Sequence, residues 1–99
     1  VRFALPEPID LAEATRRFES SAPKYLGLPG LLRKDYVLSE DGRFAGGIYL
    51  WESRAAARAV YSGEWRARVA ALYGSEPEVT FFESPVGVDN LTGTIDAGR

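Results

Sequence analysis

Apolar residues recur at strand-like spacing in four segments of the chain. The second and third segments are separated by Asp41 and Gly42, a dipeptide typical of a two-residue hairpin turn. Prolines, glycines or polar turn residues bound the segments, which indicates where the chain leaves the sheet. The pattern predicts strands over Val1–Leu5, Leu31–Leu38, Phe44–Trp51 and Val79–Glu83.

Two further segments have the spacing of amphipathic helices. The first runs over residues 11–21, after Asp10, which is a favourable N-cap residue. The second follows the N-cap residue Ser53, is rich in alanine, and is predicted to be interrupted at Gly63. It resumes after that glycine and ends at Gly74, since glycine is the usual residue just past a helix.

The resulting order is strand, helix, strand, strand, helix, strand. This βαββαβ order predicts a ferredoxin-like α+β domain, with an antiparallel sheet that carries both helices on one face. We expect the domain to span residues 1–85, and residues 86–99 to form a tail that packs on the domain or reaches a partner. The other sheet face needs cover in so small a domain, and a second copy of the chain would supply it.

A tight turn at Asp41 and Gly42 also predicts which strand residues share a face. It pairs Leu38 with Ala45, Tyr36 with Gly47, Lys34 with Tyr49, and Leu32 with Trp51. Cross-strand partners lie on the same face, and we expect this face to line a cavity beneath the helices. The opposite face would hold Leu31, Arg33, Asp35, Val37, Phe44, Gly46, Ile48 and Leu50.

Composition limits the chemistry that the chain can perform. Its 99 residues include no cysteine and no histidine, which excludes a thiolate nucleophile, a histidine base and a histidine metal ligand. A metal site built from carboxylates alone stays possible, but no acidic cluster has the spacing of metal ligands, so we expect no metal. The 12 basic and 14 acidic residues are interleaved, which argues against nucleic acid as a partner. No segment predicts a membrane span or a signal peptide, so we expect a cytoplasmic protein.

The run Gly46-Gly47-Ile48-Tyr49-Leu50-Trp51 is the most informative stretch of the sequence. Adjacent glycines in a strand mark a place where another group approaches closely, and large rings beside them can wall an apolar cavity. The alternative is that these rings simply pack in the core. The candidate substrate-binding aromatics are Tyr25, Tyr36, Tyr49, Trp51 and Trp65.

Few polar groups could act beside these rings. Asp89 and Asn90 place a carboxylate next to an amide, a pair that could orient a substrate oxygen. The alternative is a turn in the tail, because both residue types favour turns. A general base would have to be an aspartate, a glutamate or Lys34 with a lowered pKa. Lys34 could instead form cross-strand pairs with its charged neighbours or lie at the rim.

Four segments of the chain carry a family resemblance: Pro29-Gly30-Leu31, Gly46-Gly47-Ile48-Tyr49-Leu50-Trp51, Tyr73-Gly74 and Pro85-Val86-Gly87-Val88-Asp89-Asn90. Together they resemble the YdhR-like group of mono-oxygenases. This group belongs to the dimeric α+β barrel superfamily, which also contains the antibiotic-biosynthesis monooxygenases. The resemblance spans nearly the whole chain and implies a homodimer whose two sheets face each other, with the helices outside and an apolar pocket in each subunit.

The same resemblance implies an activity. The best-understood relatives oxidise polycyclic phenols with molecular oxygen and without a cofactor: a base removes an acidic proton, and the carbanion reduces oxygen. We therefore predict a cofactor-independent monooxygenase that acts on a small aromatic, phenolic or quinone-like substrate. Other relatives degrade haem with a histidine ligand, and the absence of histidine disfavours that role here. Two alternatives stay open, a non-catalytic dimer that binds a small apolar molecule, and an isomerase or cyclase that uses the same pocket.

Overall fold

A computed structural model describes residues 1–98. They form an α+β protein with three α-helices and two antiparallel sheets. A short 3-10 helix at Ala22–Lys24 follows the first α-helix directly. The elements are β1 (Arg2–Ala4), α1 (Leu11–Ser21), β2 (Leu31–Leu38), β3 (Phe44–Trp51), α2 (Arg54–Val60), α3 (Gly63–Tyr73), β4 (Val86–Asp89) and β5 (Thr94–Ala97).

The main sheet has the strand order β1-β3-β2. Glu78 lies on the free side of β1, where the backbones of Arg2 and Glu78 exchange two hydrogen bonds of 2.9 and 2.7 Å. The segment after α3 therefore returns to the outside of β1, next to the first strand of the chain. This placement is compatible with a ferredoxin-like fold.

The prediction of a strand over Val79–Glu83 is wrong, because strand pairing beside β1 is limited to the bridge at Glu78. Pro85 then ends the segment, because it has no backbone N–H to donate to a ladder.

The local sequence signals at the helix ends are confirmed. The Asp10 carboxylate accepts a 2.8 Å hydrogen bond from the backbone N–H of Glu13 at the start of α1. Gly74 ends α3 in the left-handed conformation, with φ of 86°. The turn between β2 and β3 differs from the prediction. The last hydrogen bond before the turn runs from the Ser39 N–H to the Phe44 carbonyl. Residues 40–43 therefore form the loop, which is wider than the predicted two-residue turn.

Strands β2 and β3 have the predicted register over most of their length, with Tyr36 opposite Gly47. The predicted pair of Leu32 with Trp51 is wrong, because a register shift puts Leu31 opposite Trp51. A shift of this kind leaves one residue without a partner and bends the strand. The start of β2 therefore departs from the regular ladder, just after the glycine-rich connector that follows the 3-10 helix.

The core lies between the predicted helical face of the sheet and α3. Trp65 at its centre is only 2% exposed, the most completely buried large side chain of the described residues. Ala45 and Leu38 pack on this core from β3 and β2, as the face prediction requires. The buried cluster consists of Phe3, Leu5, Ala45, Trp65, Val69 and Tyr73.

The opposite face of the sheet is open and partly apolar. Ile48 is 67% exposed there, and Val37 and Phe44 are also exposed. Arg33 and Asp35 form an ion pair of 2.9 Å on the same face, in the exposed positions that the face prediction assigned to them. This face therefore combines apolar side chains with a neutralised charge pair.

The segment predicted as a tail contains a second antiparallel pair, β4 with β5. Val86 lies opposite Ala97, and Val88 lies opposite Ile95, so these four apolar side chains share one face. All four are exposed in the structure. Gly87, Asp89, Thr94 and Asp96 form the other face of this hairpin.

Candidate functional site

The structure brings the five aromatic candidates together. Tyr25 lies edge-on to Tyr49, with ring centroids 5.9 Å apart, and Tyr49 stacks parallel to Trp51 at 6.0 Å. Tyr36 lies 6.4 Å from Tyr25. We call Tyr25, Tyr36, Tyr49, Trp51, Tyr61 and Trp65 the aromatic cluster.

Tyr61 completes the aromatic cluster and was not among the candidate residues. It lies between α2 and α3, 4.7 Å from Trp65 and 5.7 Å from Trp51 between ring centroids. The sequence signal available for Tyr61 was its spacing of four residues from Trp65, across the helix break predicted at Gly63. That signal could not show that Tyr61 turns toward β3, because the direction depends on the angle between α2 and α3.

Each indole of the aromatic cluster donates a hydrogen bond to a tyrosine hydroxyl. Trp65 Nε1–H donates to the Tyr25 hydroxyl, and Trp51 Nε1–H donates to the Tyr61 hydroxyl, both at 3.1 Å. These bonds connect residues far apart in the chain and satisfy polar groups that would be costly to bury unpaired. They fix the ring planes of Tyr25 and Tyr61 relative to the sheet.

Lys34 projects from β2 into the aromatic cluster. Its ammonium nitrogen lies 3.4 Å from the ring centroid of Tyr25, 3.8 Å from that of Tyr36 and 4.6 Å from that of Tyr49. Lys34 forms no ion pair with any carboxylate of residues 1–98. The sequence alternative in which Lys34 pairs with a charged strand neighbour is wrong, because Asp35 pairs with Arg33 on the other face of the sheet.

Burial among the rings lowers the pKa of Lys34 to about 7. A neutral amine, which can accept a proton, is therefore abundant near neutral pH. Burial also raises the pKa of Tyr36 and of Tyr49, so their hydroxyls stay protonated, and that of Tyr36 shares a 2.6 Å hydrogen bond with the Ser21 hydroxyl. The site thus combines a weakly basic amine with neutral donors, a combination suited to moving a proton and stabilising the oxygen that loses it.

Gly47 makes room for this lysine. A Cβ at position 47 would lie 2.8 Å from the Tyr49 ring and 3.1 Å from the Lys34 side chain. The adjacent Gly46 serves β1 instead, because a Cβ there would lie 2.0 Å from the Val1 carbonyl oxygen. The double glycine is thus explained by two close approaches, one by backbone and one by the lysine.

Two hollows adjoin Lys34, which together with Tyr25 and Tyr36 forms their common wall. The first is a cavity of about 40 Å³ beneath the helices, also lined by Tyr49, Trp65 and Tyr73. It has room for about two or three water molecules. The second is an open cleft of about 250 Å³ between the connector after the 3-10 helix and β2. A ring-sized ligand therefore fits the cleft, and only a few of its atoms can enter the cavity.

Tyr73 contributes an unusual group to the cavity. The residue is 6% exposed, and its fully buried hydroxyl has no hydrogen-bond partner within residues 1–98. Burial raises the pKa of Tyr73, which keeps the hydroxyl protonated, and the nearby Ser21 side chain offsets a small part of this rise without forming a hydrogen bond of regular geometry. A buried donor without an acceptor is costly, and such groups in native proteins call for an explanation.

Asp89 and Asn90 lie apart from the aromatic cluster, at the turn between β4 and β5. The Asp89 carboxylate accepts hydrogen bonds from the backbone N–H groups of Leu91 and Thr92, at 2.9 and 3.3 Å. These bonds form an Asx turn, as the turn interpretation of this pair predicts. Neither residue lines the cavity or the cleft.

The comparisons leave the family open. Neither a scan against protein-family models nor a search of curated proteins gives a match for the chain. Residues 1–98 contain no group of acidic, histidine or cysteine side chains that could hold a metal ion. Within the same residues, no helix is both long enough and apolar enough to cross a membrane.

The lowered pKa of Lys34 makes a prediction for stability. The ammonium is favoured in the unfolded chain, where the lysine pKa is about 10.5, and disfavoured in the folded protein, where it is about 7. Between these values the unfolded chain binds more protons, so the contribution of Lys34 to stability rises with pH. Urea unfolding of the wild type and of Lys34→Met from pH 6 to 10 measures this. We expect the wild type to gain stability relative to the variant above pH 7, and a constant difference would contradict the shift.

Proposed function

We propose that the protein is a cofactor-independent monooxygenase of the YdhR-like type, with Lys34 as its general base. The observation that carries the proposal is the unpaired Lys34 amine enclosed by three tyrosine rings, with a pKa of about 7. A base of this strength is half neutral near physiological pH and can take a proton from an acidic phenol or from a CH₂ group activated by a neighbouring carbonyl.

The proposed reaction needs no group beyond this chain, the substrate and molecular oxygen. Lys34 accepts a proton from the substrate, and the resulting carbanion gives its electrons to oxygen. A CH₂ group and O₂ become a C=O group and H₂O, so one oxygen atom enters the product and the substrate supplies every electron. The substrate ring would occupy the cleft beside Tyr25 and Tyr36, with its oxygen directed toward Lys34.

A proton-transfer isomerase is the second candidate. Both reactions begin with the same step, in which Lys34 takes a proton from the substrate and the tyrosine hydroxyls stabilise the charge that develops. The geometry of the site therefore supports the isomerase as well as the monooxygenase for that step. An isomerase would return the proton to another atom of the substrate without consuming oxygen. Oxygen dependence therefore separates the two candidates.

The test is oxygen uptake by the metal-stripped protein over a panel of anthrones, hydroquinones and related phenols, with mass spectrometry of the products made under ¹⁸O₂. We expect uptake above the spontaneous rate and one labelled oxygen atom in the product. Product formation that persists without oxygen would favour the isomerase. Loss of turnover on metal stripping, with recovery on adding metal back, would contradict the absence of a cofactor.

We further propose that the active form is a homodimer built through the open sheet face. The exposed Ile48 and Val37 on this face support it, whereas the neighbouring Phe44 ring is partly covered by the Arg2 guanidinium, 4.2 Å from the ring centroid. The exposed apolar face of the β4–β5 hairpin gives the tail a surface for contact with the partner subunit.

The dimer proposal predicts a position-specific response to charge. Ile48 is 67% exposed on the open sheet face, and Leu11 is 71% exposed on α1. Ile48→Glu would bury an unpaired carboxylate in the dimer interface, whereas Leu11→Glu would leave it in water. By light scattering at micromolar concentration we expect a dimer for the wild type and Leu11→Glu, and a monomer for Ile48→Glu. A monomeric wild type would overturn the proposal.

A further inference from the structure

We infer that the cavity beneath the helices holds the anionic oxygen atoms of an aromatic acid, which makes the ligand of this site an anion rather than a neutral phenol. The inference deepens the proposed function, on which it rests for the role of the Lys34 site. It concerns the ligand's charge, which binding measures without turnover.

The first observation is the charge of the cavity lining. Lys24, Lys34 and Arg68 line the cavity, and none of its described lining residues carries a carboxylate. None of these three basic side chains forms an ion pair with a carboxylate of residues 1–98. Because the pKa of Lys34 is about 7, the local excess of positive charge rests mainly on Lys24 and Arg68, and it contrasts with the net charge of -2 of the whole chain. A cavity lined by one sign of charge attracts ligands of the other sign.

The second observation is the order of these groups by solvent exposure. Lys24 at the end of the 3-10 helix and Arg68 on α3 are exposed, while Lys34 is partly buried and Tyr73 is buried. The anionic oxygen atoms would be held by the two exposed cations and by Tyr73, which leaves the Lys34 amine to accept a proton as the proposed function requires. The arrangement places long, flexible cations where they can close over a ligand whose ring remains outside the cavity.

The third observation is the Tyr73 hydroxyl, which is independent of the charges. It is a fully buried donor at the cavity with no hydrogen bond of regular geometry in the described part of the chain, and the Ser21 side chain that affects its pKa lines the same cavity. An anionic oxygen in the cavity would accept its hydrogen bond and remove the cost of leaving it unpaired. The cavity of about 40 Å³ suits a group of this size.

The test compares two probes that differ in charge and hardly in shape, 4-hydroxybenzoate and 4-hydroxybenzamide. Both are phenols, and only the first is an anion at pH 7. Titrations of the ¹⁵N-labelled protein followed by NMR give a dissociation constant for each. We expect 4-hydroxybenzoate to bind at least about tenfold more tightly, because charge-assisted hydrogen bonds are the stronger ones. We also expect this preference to shrink as salt is raised.

Variants separate the site from a general surface effect. Arg68→Gln should reduce the preference for the anion several-fold, whereas Arg58→Gln, on the exposed surface of α2 and outside the cavity lining, should leave it unchanged. Tyr73→Phe should weaken 4-hydroxybenzoate binding and raise the melting temperature of the free protein, since it removes an unpaired buried hydroxyl. If Tyr73 had only a structural role, Tyr73→Phe would not weaken 4-hydroxybenzoate binding while raising the melting temperature.

The outcomes distinguish this inference from the proposed function. Equal affinity for the two probes, or no saturable binding of either, would overturn the inference. Selective anion binding by a protein that shows no turnover would support the inference while counting against the monooxygenase. Turnover of neutral phenols with no preference for the anionic probe would support the monooxygenase and overturn the inference.

Discussion

Replacing Trp65 by alanine is expected to lower the free energy of unfolding by about 3–5 kcal/mol, the usual cost of deleting a buried indole. Trp65 is 2% exposed and contacts the Tyr61 ring at 4.7 Å between centroids. Its truncation leaves a cavity at the centre of the core and also removes the partner of the Tyr25 hydroxyl. Urea unfolding at pH 7, followed by circular dichroism, measures the change.

Trp51→Ala is the matched control, because it deletes the same indole from the same aromatic cluster. Trp51 is only partly buried, at the end of β3, and stacks on Tyr49 with the rings parallel. Its removal should cost about 1–2 kcal/mol, since less of the ring leaves water on folding. Equal losses for the two variants would show that the core does not centre on Trp65 and α3.

The sequence predicts the middle of the fold well because several signals agree there. Strands β2 and β3 begin and end at the predicted residues, and alternating side chains place Tyr36 and Tyr49 on the helical face. The helix α1 also has its predicted bounds, because its N-cap bond to Asp10 is a local interaction within the first turn. Local geometry and face alternation are properties that a single sequence carries.

Features that depend on distant contacts are less accessible to the sequence. The apolar run after Glu78 has the composition of a strand, yet its pairing with β1 is limited to the bridge at Glu78. Conversely, the weakly apolar residues of the tail form the β4–β5 hairpin, which the glycine-rich composition conceals. Strand propensity describes a fit to a half-buried surface, and the partner decides whether that surface exists.

The same distinction applies to the site. Alternation along β2 put Lys34 on the aromatic face, so its role as a base could be considered from the sequence. Its enclosure by Tyr25, which lies outside the sheet, depends on how the 3-10 helix packs against β2, and no local pattern encodes that. Tyr73 fits helical core spacing, and only the packed structure reveals that its hydroxyl has no partner in residues 1–98.

Removing the base should have the largest effect on turnover. If Lys34 accepts the substrate proton, Lys34→Met should lower kcat by about 10²–10⁴-fold, the usual contribution of a general base. Methionine fills the space between the tyrosine rings without an ionisable group, so the fold should persist. Wild-type kcat/KM should rise with pH through about 7, because only the neutral amine of Lys34 can take the proton.

Lys34→Arg tests the base role against a purely electrostatic one. Arginine restores a cation that can stack on Tyr25 and Tyr36, but it stays protonated at every accessible pH and cannot serve as a base. We expect Lys34→Arg to be as inactive as Lys34→Met, while Arg58→Gln, on the exposed surface of α2 and outside the lining of both hollows, keeps full activity. Substantial activity in Lys34→Arg would show that the site needs a positive charge there and that another group removes the proton. The wild-type pH profile separates the same two roles, since a purely electrostatic cation would lose its effect as pH rises through the pKa of Lys34.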